Sequence, residues 1–217
     1  MAWGGMERAA LVESFRRADP EGPTLCTGWN TRRLLAHLVQ REHTPLLRAA
    51  DALRRPQPGT ERHLSVICGR AESPAGYEAL LQRFAGGTSW ANPFTWLGDA
   101  AQVVEYTIHH EDLRRGGTGA AEPRDLPEGQ LKALWSAVPF LARRAFRKSP
   151  VGVVLVVPGG GRLAAHRGED TVVVTGPVVE LVLASSGRRR AALVDVDGTE
   201  AAVARFEGWL GGSPGRL

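Results

Sequence analysis

Between Arg147 and Val151 the chain changes its periodicity, and that change limits the folds open to it. Before it, apolar residues recur at helical spacing; after it, β-branched runs alternate with turn residues. Helices gathered first and strands afterward suit an α+β architecture of two segregated units better than an alternating α/β sheet. The expected domains are residues 1–148, an up-down four-helix bundle with an extra fifth helix, and residues 149–217, a small α+β domain. A chain of 217 residues is long enough for each to bury its own core.

The expected helices run from Met6 to Ala18, from Thr31 to Arg54 after an Asn30 cap, from Pro74 through Phe84, from Trp96 to Arg115, and from Glu128 to Arg147. Pro45 kinks or splits the second. Trp90 falls in a break, Gly86 to Pro93. Strands are expected over Val151–Val157, Leu163–His166, Thr171–Thr175 and Ala191–Val196, with a short helix at Val178–Ser185 and a last one from Thr199 to Trp209. Pro158-Gly159-Gly160-Gly161 lacks the Lys-Ser/Thr and the helix of a phosphate loop, so it reads as a hairpin turn.

Composition removes several classes of function. The first twenty residues hold six charged side chains and no apolar core of a signal peptide, and no run approaches the length that spans a bilayer. The expectation is a cytoplasmic protein without a membrane partner. Cys26 and Cys68 are too few for a disulfide framework. The net charge is +4, but the arginines are scattered along helices, so no nucleic-acid partner is expected.

The chemistry concentrates in Val104–Leu113. Glu105, His109 and Asp112 stand at i, i+4 and i+7 and share one helix face, beside Val104 and Ile108. That places a carboxylate and an imidazole toward the core, where they need a partner, and a metal ion is one. Bundles build metal sites from side chains facing one another across helices. His37, on the inward stripe of the second helix between Leu34 and Leu38, is the candidate third ligand; a satisfied core histidine is the other reading.

Two segments carry a family resemblance: Cys26-Thr27-Gly28-Trp29 followed by His37-Leu38, and Glu105-x-x-x-His109-x-x-Asp112-Leu113. Together they resemble the actinobacterial DinB-like proteins related to mycothiol-dependent maleylpyruvate isomerase. Arg41-Glu42-His43 is similar to an uncharacterised metal-binding branch of that group. The resemblance implies a DinB-like bundle, then a domain like the sterol-carrier-protein type. It also implies a divalent ion, zinc the first choice, on His37, Glu105 and His109. Three protein ligands leave coordination positions open, the catalytic arrangement. The function implied is activation of a low-molecular-weight thiol such as mycothiol, for transfer to or isomerisation of an electrophilic small molecule. The implied partners are that thiol and its substrate, in a monomer or homodimer.

Other residues keep two readings each. Asp112 either orients a ligand from behind or pairs with Arg114 or Arg115. His43 lies on another face of its helix, at the surface or behind the site, and His110 points about 100° away from His109. Cys26 precedes a helix start, as a lowered-pKa thiol or as packing beside Trp29. Arg188, Arg189 and Arg190 either reach an anionic cofactor or form a solvated loop. The alternatives to an enzyme are a non-catalytic metal- or ligand-binding module and, behind it, a nucleic-acid-binding protein.

Overall fold

The computed structural model describes residues 2–54, 56–88, 98–117 and 122–212. Its contacts divide the chain into two compact units, residues 1–120 and 121–217. The architecture is α+β: helices first, then a small mixed sheet with its own helices. Among the described residues no helix is long and apolar enough to cross a membrane.

The first unit contains α1 (Trp3–Arg17), α2 (Thr31–His43), α3 (Pro45–Arg54), α4 (Arg62–Gly69), α5 (Pro74–Ala85) and α6 (Asp99–Arg114). Helix α1 packs on α6 and α5, while α2 packs on α4, α5 and α6. Leu11, Phe15, Leu34, Leu35, Leu38, Leu81 and Phe84 are all fully buried between them. Two starts are capped as the sequence suggests: Asn30 Oδ1 accepts from Arg33 N at 2.9 Å, and Ser73 Oγ accepts from Gly76 N at 3.1 Å.

The start of α1 and the presence of α4 differ from expectation for identifiable reasons, while the second expected helix is split at Pro45, one of the two outcomes read from the sequence. Helix α1 begins at Trp3 instead of Met6, because the Asp99 carboxylate on α6 accepts from Trp3 N (2.9 Å) and Gly4 N (2.7 Å). The two helices approach so closely there that a Cβ on Gly4 would lie 2.8 Å from Gln102 Cβ. The helix expected from Thr31 to Arg54 is two helices, since Thr44 turns out of the helical region before Pro45. Helix α4 was not expected. The Asp51 carboxylate of α3 accepts from His63 N and Leu64 N, both at 3.1 Å, and so caps it from another helix. Trp90 and the expected helix start at Trp96 lie outside the described residues.

The second unit holds α7 (Glu128–Phe146), β1 (Gly152–Val156), β2 (Arg162–His166), β3 (Thr171–Thr175), α8 (Val178–Ser185), β4 (Asp195–Asp197) and α9 (Glu200–Gly212). Helix α7, read from sequence as the last helix of the N-terminal domain, lies in this unit and packs along α8 and against β2. Its buried stripe Leu134, Val138, Ala142, Phe146 repeats every fourth residue, and α8 is buried at every position. The sheet order is β2-β1-β3-β4, with β1 antiparallel to β2 and parallel to β3. To reach the far side of β1, the β2–β3 connection crosses the start of that strand. A Cβ on Gly168 would stand 2.4 Å from Gly152 N. Strand β4 is shorter and later than expected because Ala191 N and Ala192 N both turn back to Arg188 O, and Leu193 N donates to Glu180 Oε2 at 2.8 Å.

Candidate metal centre

Helices α2 and α6 bring the two sequence segments together. One donor atom from each of His37, Glu105 and His109 lies within 4.8 Å of the other two. The His37 ring sits 5.3 Å from that of His109 and 4.8 Å from the Trp29 indole, centroid to centroid. Among the described residues, no hydrogen bond engages either ring nitrogen of His37. Val104 and Ile108 are buried beside the cluster, as the helix face requires.

Behind His109 runs a chain of hydrogen bonds. His109 Nδ1 lies 2.9 Å from Asp112 Oδ2, and the Cys26 thiol donates to the same oxygen at 3.2 Å. Leu25 N donates to the Asp112 carbonyl at 3.0 Å, which pins the loop before α2 to α6. Asp112 faces His109, and Arg114 and Arg115 both pair with Glu111, at 2.9 and 2.6 Å. Cys26, His109 and Asp112, all buried, also form a group close enough to hold an ion. Their mutual hydrogen bonds already satisfy them.

In front, Glu105 Oε1 lies 3.1 Å from His109 Nε2 and 2.5 Å from Arg41 Nη1. Burial pushes the Glu105 carboxyl up, but the hydrogen bond and charge of His109, with the Arg41 guanidinium, outweigh it and hold it down at about 2. Burial likewise pulls His109 down, yet Asp112, Cys26 and Glu105 together raise it well above the ordinary imidazole value. Burial, with His109 adding to it, keeps His37 well below that value, so its ring is neutral and carries a lone pair. A neutral imidazole and a charged carboxylate fit a divalent ion as they stand, and the second imidazole, held from behind by Asp112, joins them by giving up its Nε2 proton. This donor set suits zinc and several other divalent metals.

The remaining candidates stand elsewhere. His110 faces α1, with Nδ1 2.8 Å from Glu7 Oε1 and Nε2 2.8 Å from Ser14 Oγ. His43 Nε2 lies 3.2 Å from the Arg83 carbonyl, away from the cluster. In the second unit the Arg189 guanidinium stacks 4.7 Å from Trp209 and 5.3 Å from Phe146, and it donates to Ala145 O at 3.1 Å. Arg188 Nη1 donates to Ser186 O at 2.8 Å. Sequence reasoning did not assign Arg41 to the cluster. Its spacing of four from His37 was the available signal. Nor did it find the buried Arg8–Glu42–Tyr106 network, in which Tyr106 donates to Glu42 Oε1 at 2.6 Å.

Residues 5–92 match the model of the family described as the mycothiol maleylpyruvate isomerase N-terminal domain. The match contains Cys26, Trp29 and His37, whereas Glu105 and His109 lie beyond it. Crystal structures of a mycothiol-dependent maleylpyruvate isomerase and of a histidine-to-alanine variant resemble the whole chain. Their TM-scores are 0.58 and 0.59 at 21% and 20% identity, over 90% of both chains in each case. At that identity the likeness shows the fold alone, a DinB-like helical unit followed by a small α+β unit. A comparison with curated proteins finds no match.

Proposed function

We propose that this chain is a metal- and thiol-dependent transferase or isomerase, in which His37, Glu105 and His109 hold a divalent ion, zinc being the first choice. The observation that carries the reading is the meeting of those three donor atoms within 4.8 Å. The match of residues 5–92 to the mycothiol maleylpyruvate isomerase N-terminal domain supports mycothiol, or a thiol like it, as the cofactor. A bound ion would supply Lewis acidity that lowers the pKa of a coordinated thiol toward neutrality.

The chain's own residues prepare the place for it. His37 offers a neutral ring, and Asp112 fixes the tautomer and direction of His109. Glu105 brings the negative charge that two imidazoles lack. Arg41 sets a permanent cation beside Glu105, suited to a carboxylate or a developing oxyanion on an electrophilic substrate. A second reading has its own support: with Arg41 on Glu105 and Asp112 on His109, the cluster is electrostatically satisfied as a polar core of a non-catalytic module.

Elemental mass spectrometry on untagged protein, beside a His37→Ala variant, separates the two. Near-stoichiometric metal that is lost in the variant supports the first reading and justifies screening thiols with electrophilic substrates. Wild-type protein that takes up no metal on reconstitution removes it.

A further inference from the structure

On the far side of α2 from His37 the first unit contains a cavity of about 340 Å³, within the range of small-molecule sites. Val39, two residues beyond His37 and so about 200° around the helix, lines it. Its apolar wall also includes Ile67 of α4 and Leu80 of α5, and its mouth is rimmed by Leu47 of α3 and Val66 of α4. Those last two are 41% and 54% exposed. Helix α3 is held through the polar contacts of Asp51, while Leu46 and Leu53 point outward at 83% and 84% exposure.

The permanent charges on this cavity have one sign, and Thr44 adds a neutral hydroxyl. Arg70, Arg83, His43 and His63 all line it, and among the described residues no carboxylate does. Neither Arg70 nor Arg83 is engaged in an ion pair among the described residues. The two histidines are already oriented, His63 Nδ1 by Asp51 Oδ1 at 2.9 Å and His43 Nε2 by the Arg83 carbonyl at 3.2 Å. Each therefore presents its other nitrogen. An apolar hole lined by two arginines and no acid selects a molecule with an apolar body and one anionic end.

We infer that this cavity is a second ligand site, separate from the metal cluster, for a small monocarboxylate with an aliphatic or aromatic tail. The tail lies against Val39, Ile67 and Leu80, and the carboxylate meets Arg70 and Arg83. Occupancy covers Leu47 and Val66 and leaves His37, Glu105 and His109 untouched.

Octanoate is the probe, titrated calorimetrically into the full chain with and without prior chelator treatment. Octylammonium and octan-1-ol serve as matched tails without the negative charge. Saturable one-to-one binding of octanoate is expected, equal in both preparations, with methyl NMR shifts at Val39, Leu47, Val66, Ile67 and Leu80. The Arg70→Gln/Arg83→Gln double variant weakens it by about tenfold or more, and Ala79→Trp, on a lining residue that is solvent-exposed, abolishes it. Circular dichroism confirms that both variants fold, and Ala79→Ser provides a second, milder control that retains binding. Absence of saturable binding, equal affinity for octylammonium, binding that survives Ala79→Trp, or shifts centred on Trp29 would each overturn the assignment.

Discussion

Removing the Asp51 carboxylate tests whether one side chain ties three helices together. It accepts from Gln40 Nε2 (3.0 Å), His63 N (3.1 Å), Leu64 N (3.1 Å) and the His63 ring (2.9 Å), while its own residue is only 5% exposed. Losing a helix cap costs about 1 kcal/mol. Stranding the buried Gln40 amide adds about 2 kcal/mol, because that donor has little water to turn to. Asp51→Ala should therefore destabilise the protein by about 3 kcal/mol, or roughly 10 °C in Tm for a unit of this size. Asp51→Asn, which keeps one acceptor, should cost roughly half as much. Burial pushes the Asp51 carboxyl up, but its hydrogen bonds from Gln40, His63 and Leu64 outweigh this and lower its pKa. A depressed folded pKa means the carboxylate's contribution is fully present above its unfolded value near 4 and fades as pH falls through the folded value. Urea unfolding should show the gap between wild type and Asp51→Asn constant from about pH 7 to 5 and closing below about pH 4. Hydrogen exchange at the His63 and Leu64 amides reports the cap directly. A loss under about 1 kcal/mol for Asp51→Ala, with those amides still protected, would refute the reasoning.

Three further outcomes follow from contacts already described. Asp112→Ala frees the His109 ring and should weaken zinc binding about 10- to 100-fold in a competition assay with a chromophoric chelator; unchanged affinity would remove Asp112 from the centre. Gly168→Ala drives a Cβ toward Gly152 N at 2.4 Å and should cost about 1–3 kcal/mol in thermal unfolding, whereas the exposed Gly5→Ala should not. Arg189→Ala should cost about 1–2 kcal/mol, and Lys should restore only part of it, because a lysine lacks the flat guanidinium stacked on Trp209 and Phe146. Full recovery with Lys would point to charge alone.

The sequence made the centre legible because its residues are local on two helices. Glu105 and His109 lie one turn apart, which spacing shows, whereas His37 kept two readings until the family resemblance of the segment Cys26 to Leu38 singled it out. What escaped has a different physical origin. Helix α4 is started by a carboxylate about a dozen residues upstream, and α1 by Asp99, some 95 residues downstream. No rule confined to neighbouring residues finds such caps. The packing partners of α7 were hidden for a similar reason. Its stripe Leu134, Val138, Ala142, Phe146 announces a buried face but says nothing of what buries it, and the partner proved to be α8 and β2. The role of Arg41 was hidden because a single arginine on a polar helix face resembles ordinary surface charge. Only the approach of α6 makes it a neighbour of Glu105.

The crossing of the β2–β3 connection over the start of β1 has a mechanical consequence. Strand β1 is hydrogen-bonded on both sides, to β2 and β3, and the chain enters it beneath a backbone segment resting against Gly152. Tension applied through residue 150 against the C-terminal end of the unit cannot peel β1 from one edge, one rung at a time. It must shear two ladders together while the crossing segment blocks the strand from sliding back along its own axis. The unit is thus a clamp that yields abruptly. Widening the gap at Gly152 and Gly168 is the place where such a clamp would first be forced open.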